Sequence, residues 1–159
     1  MIDYNLIARQ VAALGEADDN GVGLLANAAA LLKEAGAWHW VGFYLVDKEL
    51  NCLRLGPFQG PLACTRIPYG KGVCGTAWQR AETVVVDDVD AFPGHIACSS
   101  LSRSEIVVPV FCDNAVFAVL DIDSAELNAF SEDDRTGLEL VCKALEQAWK
   151  NMKVMNRVP

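Results

Sequence analysis

At 159 residues, 52% hydrophobic and 21% charged, the chain has the size and composition of one soluble domain around a single core. Its net charge of −8, with Lys and Arg scattered and no basic stripe, repels phosphate backbones and anionic lipid and argues against nucleic acid and membranes as partners. No apolar stretch approaches the ~20 residues of a membrane span, and Met1–Asn5 lacks the basic and apolar regions of a secretion signal, so a cytoplasmic location is expected.

Ile2, Leu6, Ile7, Val11 and Leu14 recur at helical spacing and predict a first helix, with Gly15 placed to stop it. After a polar break from Glu16 to Asn20, Leu24, Leu25, Ala28, Leu31, Leu32 and Ala35 form a second apolar stripe, and Gly36 sits where a C-cap belongs. The pattern then changes. Trp38 to Val46 is rich in aromatic and β-branched residues, and Cys52 to Leu55 follows a polar turn, which predicts a hairpin. Gly56-Pro57-Phe58-Gln59-Gly60-Pro61 reads as a loop, Arg66 to Pro68 as a brief pairing, Gly72 to Arg80 as a short helix and Thr83 to Val86 as a buried strand. Asp87 to Ser104 is irregular, and loops this long in a small domain are usually functional or disordered. Glu105 to Phe111 and Ala115 to Asp123 predict a hairpin around Asp113-Asn114. A last helix starts at Ser131, with Glu132, Asp133 and Asp134 matched to its N-terminal dipole and Leu138, Val141, Cys142, Leu145, Trp149 and Met152 on its apolar face. Helices, then strands, then a helix give an α+β domain over residues 1–159, an antiparallel sheet with the terminal helices on one face.

Two groups of residues carry chemistry. In Val119-Leu120-Asp121-Ile122-Asp123 the strand period of two puts Asp121 and Asp123 on one face, and Glu105 opens the preceding strand. Three converging acids would raise each other's pKa, bind a cationic ligand and leave one carboxyl protonated as a general acid; the alternative is three solvated strand ends. Trp40 and Tyr44 share a face with Gly42 between them, a gap for a thioether or methyl group or else ordinary core packing.

Of six cysteines, Cys52, Cys112 and Cys142 fall in strand or helix patterns and read as structural. Cys64, Cys74 and Cys98 lie in or beside Gly- and Pro-rich segments, without the spacing of a zinc site, so no metal is expected. Cys98 follows the turn Phe92-Pro93-Gly94 on the long loop, in the run His95-Ile96-Ala97-Cys98-Ser99-Ser100, which suits a reactive thiol. His95 reads as a loop hydrogen-bonder rather than a base. Gly70-Lys71-Gly72-Val73-Cys74-Gly75 lacks the ending of a phosphate loop.

Together, Leu25 to Leu32, Trp40 to Leu45, Gly56 to Gly60, Ala63-Cys64, Gly72 to Gly75, Gly94 to Cys98, Ser104 to Val107 and Val119 to Ser124 resemble the free methionine-(R)-sulfoxide reductases, which are stand-alone GAF-type domains. The resemblance implies a GAF-like fold with a small-molecule pocket on the face opposite the terminal helices. It implies Cys98 as nucleophile, Cys64 as resolving cysteine and Cys74 as a third motif cysteine and alternative partner for Cys98. Glu105, Asp121 and Asp123 fall at the substrate-binding acids, and Trp40 and Tyr44 at the aromatic pocket. The implied reaction is reduction of free L-methionine (R)-S-oxide, with Glu105 or Asp123 donating a proton, a sulfenic acid on Cys98, a disulfide, and recycling by thioredoxin or a similar dithiol, with no cofactor. A homodimer is compatible with the resemblance, although no interface is legible. The rival reading is a GAF-type sensor of a small ligand or of redox state; the stand-alone length weighs against it.

Overall fold

A computed structural model describes residues 1–157. Helix α1 (Tyr4–Ala17) is capped by Asp3, whose carboxylate accepts from the Leu6 amide at 2.9 Å, and α2 (Gly21–Ala35) by Asn20, which accepts from Gly23 at 3.0 Å. Strands β1 (Trp40–Asp47), β2 (Cys52–Gln59) and β3 (Arg66–Pro68) follow, then α3 (Gly72–Arg80), β4 (Val84–Val86) and a 3-10 turn at Val89–Ala91. The hairpin of β5 (Ser104–Cys112) and β6 (Ala115–Ser124) leads to α4 (Glu132–Asn151) and the short α5 (Val154–Arg157). The six strands form one antiparallel sheet in the order β3-β2-β1-β6-β5-β4.

The alternation of side chains divides the interior into two cores, one on each face of the sheet, instead of the single core that length and composition suggest. Val41, Phe43, Ile106, Val108, Leu120 and Ile122 point from the sheet towards α2 and α4, with α1 packed on α4 behind them. Trp40, Tyr44, Leu53, Ile67, Val107 and Val119 point the other way, where α3 supplies Val73, Cys74 and Ala77. The α+β class is as expected. The β5–β6 turn holds Asp113 and Asn114 at φ 52° and 63°, the left-handed pair that a two-residue hairpin requires. Ser131 and Asp134 form a capping box at the start of α4.

Three local expectations need correction. The segment from Gly56 to Gln59 continues β2 rather than looping, because one extra residue is absorbed opposite β1 between Gly42 and Tyr44. That bulge accommodates Pro57, which has no N–H to give the ladder. Gly15 does not stop α1; it lies inside the helix, where a side chain would collide with Ala148 of α4. Leu6, counted on the apolar face, is exposed, and α1 instead buries Tyr4, Ile7 and Val11.

The contact of α1 with α4 is tightest where the Tyr4 ring lies over Gly137, and the Tyr4 hydroxyl donates to Asp134 at 2.7 Å. A β-carbon on Gly137 would occupy the position of that ring. Gly137→Val should therefore destabilise the fold by about 2 kcal/mol or more, read as a lower urea midpoint at unchanged slope.

Candidate active site

Cross-strand register assembles the acids. Central strand β6 places Asp123 between Trp40 of β1 and Glu105 of β5, and Asp121 between Gly42 and Val107. All of these side chains leave the sheet on the face away from α2 and α4. Glu105 and Asp121 are only 6% and 5% exposed, and Asp123 is half-buried. The acids therefore meet in a cavity, which excludes the reading of solvated strand ends.

Burial and mutual repulsion dominate the electrostatics. Desolvation, then the charge of Asp123, pushes Glu105 up to about 8, against hydrogen bonds with Asp121 and Cys74 that favour its ionised form. Desolvation and the neighbouring Glu105 raise Asp121 well above the usual carboxylate range; desolvation and Asp121 do the same for Asp123. Asp121 Oδ1 is buried without a hydrogen-bond partner among the described residues. Cys74, in the first turn of α3, puts its thiol 3.9 Å from Glu105 Oε1, and burial followed by the three acids raises it strongly. Cys74, Glu105 and Asp121 hold their ligating atoms within 4.8 Å of one another, so in geometry they could accept a cation. Any cation there would have to displace protons that burial favours. His95 enters the same cluster, its Nε2 3.7 Å from Glu105 Oε2.

The aromatic residues are arranged differently from the expectation. The space at Gly42 is no open gap: a β-carbon there would meet both Phe58 and the Trp40 indole. Trp40 stacks between Phe58, with ring centroids 5.2 Å apart, and Tyr44, at 5.9 Å. Gly42 thus lets three rings stack together, of which Trp40 and Tyr44 wall the cavity and Phe58 backs them. Phe58 was hidden from sequence reasoning because its segment read as a loop; extending the alternation of β2 through the bulge would have found it.

Two half-buried cysteines at the cavity, Cys98 in its lining and Cys64 next to the lining residue Ala63, are joined. Cys64, on the β2–β3 connection, forms a disulfide with Cys98, their Cα atoms 5.4 Å apart. The Cys98 loop closes at its base through the Val89 amide, which donates to the Arg103 carbonyl at 2.9 Å. Ile96 packs beside Gly72 at the start of α3, which brings the loop down over the acids. Cys74 stays a free thiol, as do Cys52, Cys112 and Cys142. His39 and Ser102, bonded to each other at 3.2 Å, also line the cavity. No periodicity marks these two residues, since both stand outside the strands.

The family description "GAF domain" matches residues 22–150. The free methionine-R-sulfoxide reductase of Escherichia coli (strain K12) is 43% identical over 145 residues, covering 91% of this chain and 87% of that protein. GAF domain-containing protein A of Dictyostelium discoideum is 52% identical over 143 residues, 90% of each chain. The X-ray structure of free methionine-R-sulfoxide reductase from Neisseria meningitidis in complex with its substrate superposes with a TM-score of 0.88 at 56% identity, over 91% of this chain and 87% of that one. The chain belongs to the GAF-domain family of free methionine-R-sulfoxide reductases.

This family member thus brings a disulfide-bonded pair of cysteines to an acidic cavity with an aromatic wall. Such a cavity suits a small ligand that carries a positive charge and an apolar end. The acids also leave a mark on stability. Glu105 holds its proton in the folded protein up to about 8 but loses it near the ordinary 4.5 when unfolded, so folding binds a proton throughout that window. Stability should fall as pH rises from about 5 towards 8.5, read by urea unfolding at each pH. Glu105→Gln should flatten that decline.

Proposed function

We propose that this chain reduces free L-methionine (R)-S-oxide to L-methionine by thiol chemistry at Cys98. The observation that carries the reading is the Cys64–Cys98 bond at a cavity walled by Trp40 and floored by Glu105, Asp121 and Asp123. Relatives of the same family, with substrate bound in the Neisseria meningitidis structure, support it.

The roles follow from the chemistry of the substrate. Asp121 and Asp123 take the α-ammonium, which offsets the burial and mutual repulsion that otherwise keep them protonated. The S-methyl group rests on the indole of Trp40. Glu105, protonated at neutral pH, donates to the sulfoxide oxygen while the Cys98 sulfur attacks the substrate sulfur. The sulfoxide's oxygen passes to Cys98, methionine leaves, and the protein holds a sulfenic acid. The Cys64 thiol then condenses with it, water leaves, and the disulfide forms. An external dithiol of the thioredoxin class reduces that bond by exchange, returning both thiols. A reducing compartment such as the cytoplasm suits this cycle.

Separate R and S sulfoxides of free and peptide-bound methionine, with dithiothreitol in excess, test the reading through released methionine. Many equivalents from the free R epimer alone are expected; at most one equivalent would make the protein a sensor. Cys98→Ser should release none even in a single turnover. Cys64→Ser should release close to one equivalent and recycle poorly with thioredoxin, the residue of turnover depending on Cys74. Glu105→Gln or Asp123→Asn should lower kcat by about 10²–10⁴-fold while leaving the circular dichroism unchanged.

A further inference from the structure

Trp40 and Tyr44 turn their rings to the cavity but direct their polar atoms to the strap that carries Cys64. The Trp40 indole N–H donates to the Pro61 carbonyl at 3.1 Å, and the Tyr44 hydroxyl donates to the Cys64 carbonyl at 2.9 Å. Both side chains are almost fully buried, at 3% and 2% exposure. Burial and the nearby acids keep the Tyr44 phenol protonated, so it remains a donor. Two more attachments complete the hold. Gly60, at φ +141°, lies so close to β1 that a β-carbon would come within 2.7 Å of the His39 carbonyl and the Trp40 ring, and the Leu55 amide donates to Thr65 at 3.1 Å. Only glycine allows that approach.

The Cys98 side is held differently. Within its loop the backbone bonds near Cys98 are short-range, Cys98 N–H to Ile96 and His95 N–H to Phe92, and the bond to Arg103 closes only the base. One sulfur therefore sits on a strap hydrogen-bonded to the side chains of β1, and the other on a loop held by its ends and by the side chains of His95, Ile96 and Ser102.

We propose that Tyr44, aided by Trp40, is a positioning residue for the resolving step: its hydroxyl holds the Cys64 strap where Cys98 sulfenic acid forms. This rests on Cys98 attacking and Cys64 resolving. In that step a bond forms between the two sulfurs, the Cys98 S–O bond breaks, and the oxygen leaves as water with the sulfenic hydrogen and the Cys64 thiol proton. Fixing the partner thiol raises the effective concentration of that encounter, whereas the ring contacts with substrate act earlier.

Tyr44→Phe keeps the ring and removes only the hydroxyl, and two oxidants separate the steps. Reduced protein is mixed with one equivalent of free methionine (R)-S-oxide or of hydrogen peroxide. Peroxide converts the Cys98 thiolate to the same sulfenic acid with loss of hydroxide and needs no substrate binding. Disulfide closure is followed by mass, and open sulfenic acid by dimedone trapping. Closure in Tyr44→Phe should slow about tenfold relative to wild type with either oxidant, the loss of one well-placed hydrogen bond, and trapped sulfenic acid should rise accordingly. A variant that is merely less stable lowers the urea midpoint without changing closure. Wild-type closure with peroxide would overturn the proposal; if Tyr44→Phe does not fold, Trp40→Phe is read the same way. Failure of the proposed function looks different: wild-type protein that closes with peroxide yet releases no methionine from the sulfoxide.

Discussion

The pairing of β6 between β1 and β5 is the constraint on which the site depends. It sets Asp123 between Trp40 and Glu105, and Asp121 beside Gly42, so acids and aromatics share one face. A slip of one residue in either ladder would turn every side chain of that strand to the opposite face, carrying carboxylates into the helix-side core. That core resists the slip. Leu120 and Ile122, the neighbours of the acids, are fully buried against the helices, and β5 presents Ile106 and Val108 beside them. Hydrophobic burial on one face thereby determines where charge goes on the other.

The acidic face is held at a cost. Desolvation raises all three carboxyls and the Cys74 thiol, and Asp121 Oδ1 has no partner among the described residues. Replacing such a cluster by apolar side chains would ordinarily stabilise a protein. Its presence is understandable if a positively charged ligand completes it, and the protons that burial retains are what an oxygen leaving sulfur needs.

The two sides of the disulfide show a division of labour. The Cys64 strap hangs from β1 and β2 by the hydroxyl of Tyr44, the indole of Trp40 and the close approach of Gly60. The Cys98 loop is anchored at its base and folds over the acids through Ile96. Chemistry on a loop above a sheet scaffold is how many small domains combine access with alignment.

By itself the sequence determined the elements and the chemical inventory. Alternation over Val119–Asp123 and Trp40–Tyr44 placed acids and rings on particular faces, and helical spacing with Ser131 as cap located α4, because these signals are local. The GAF character was legible from the joint motifs. Tertiary structure alone decided that β2 runs on through Pro57, that Phe58 completes the ring stack, that Cys74 and His95 join Glu105, and that Tyr44 and Trp40 hold the strap. Each of these joins residues distant along the chain through sheet register and loop closure, and no local period encodes such meetings. Gly15 makes the same point: alone it reads as a helix stop, and only the crossing of α4 shows that it is there to let two helices touch.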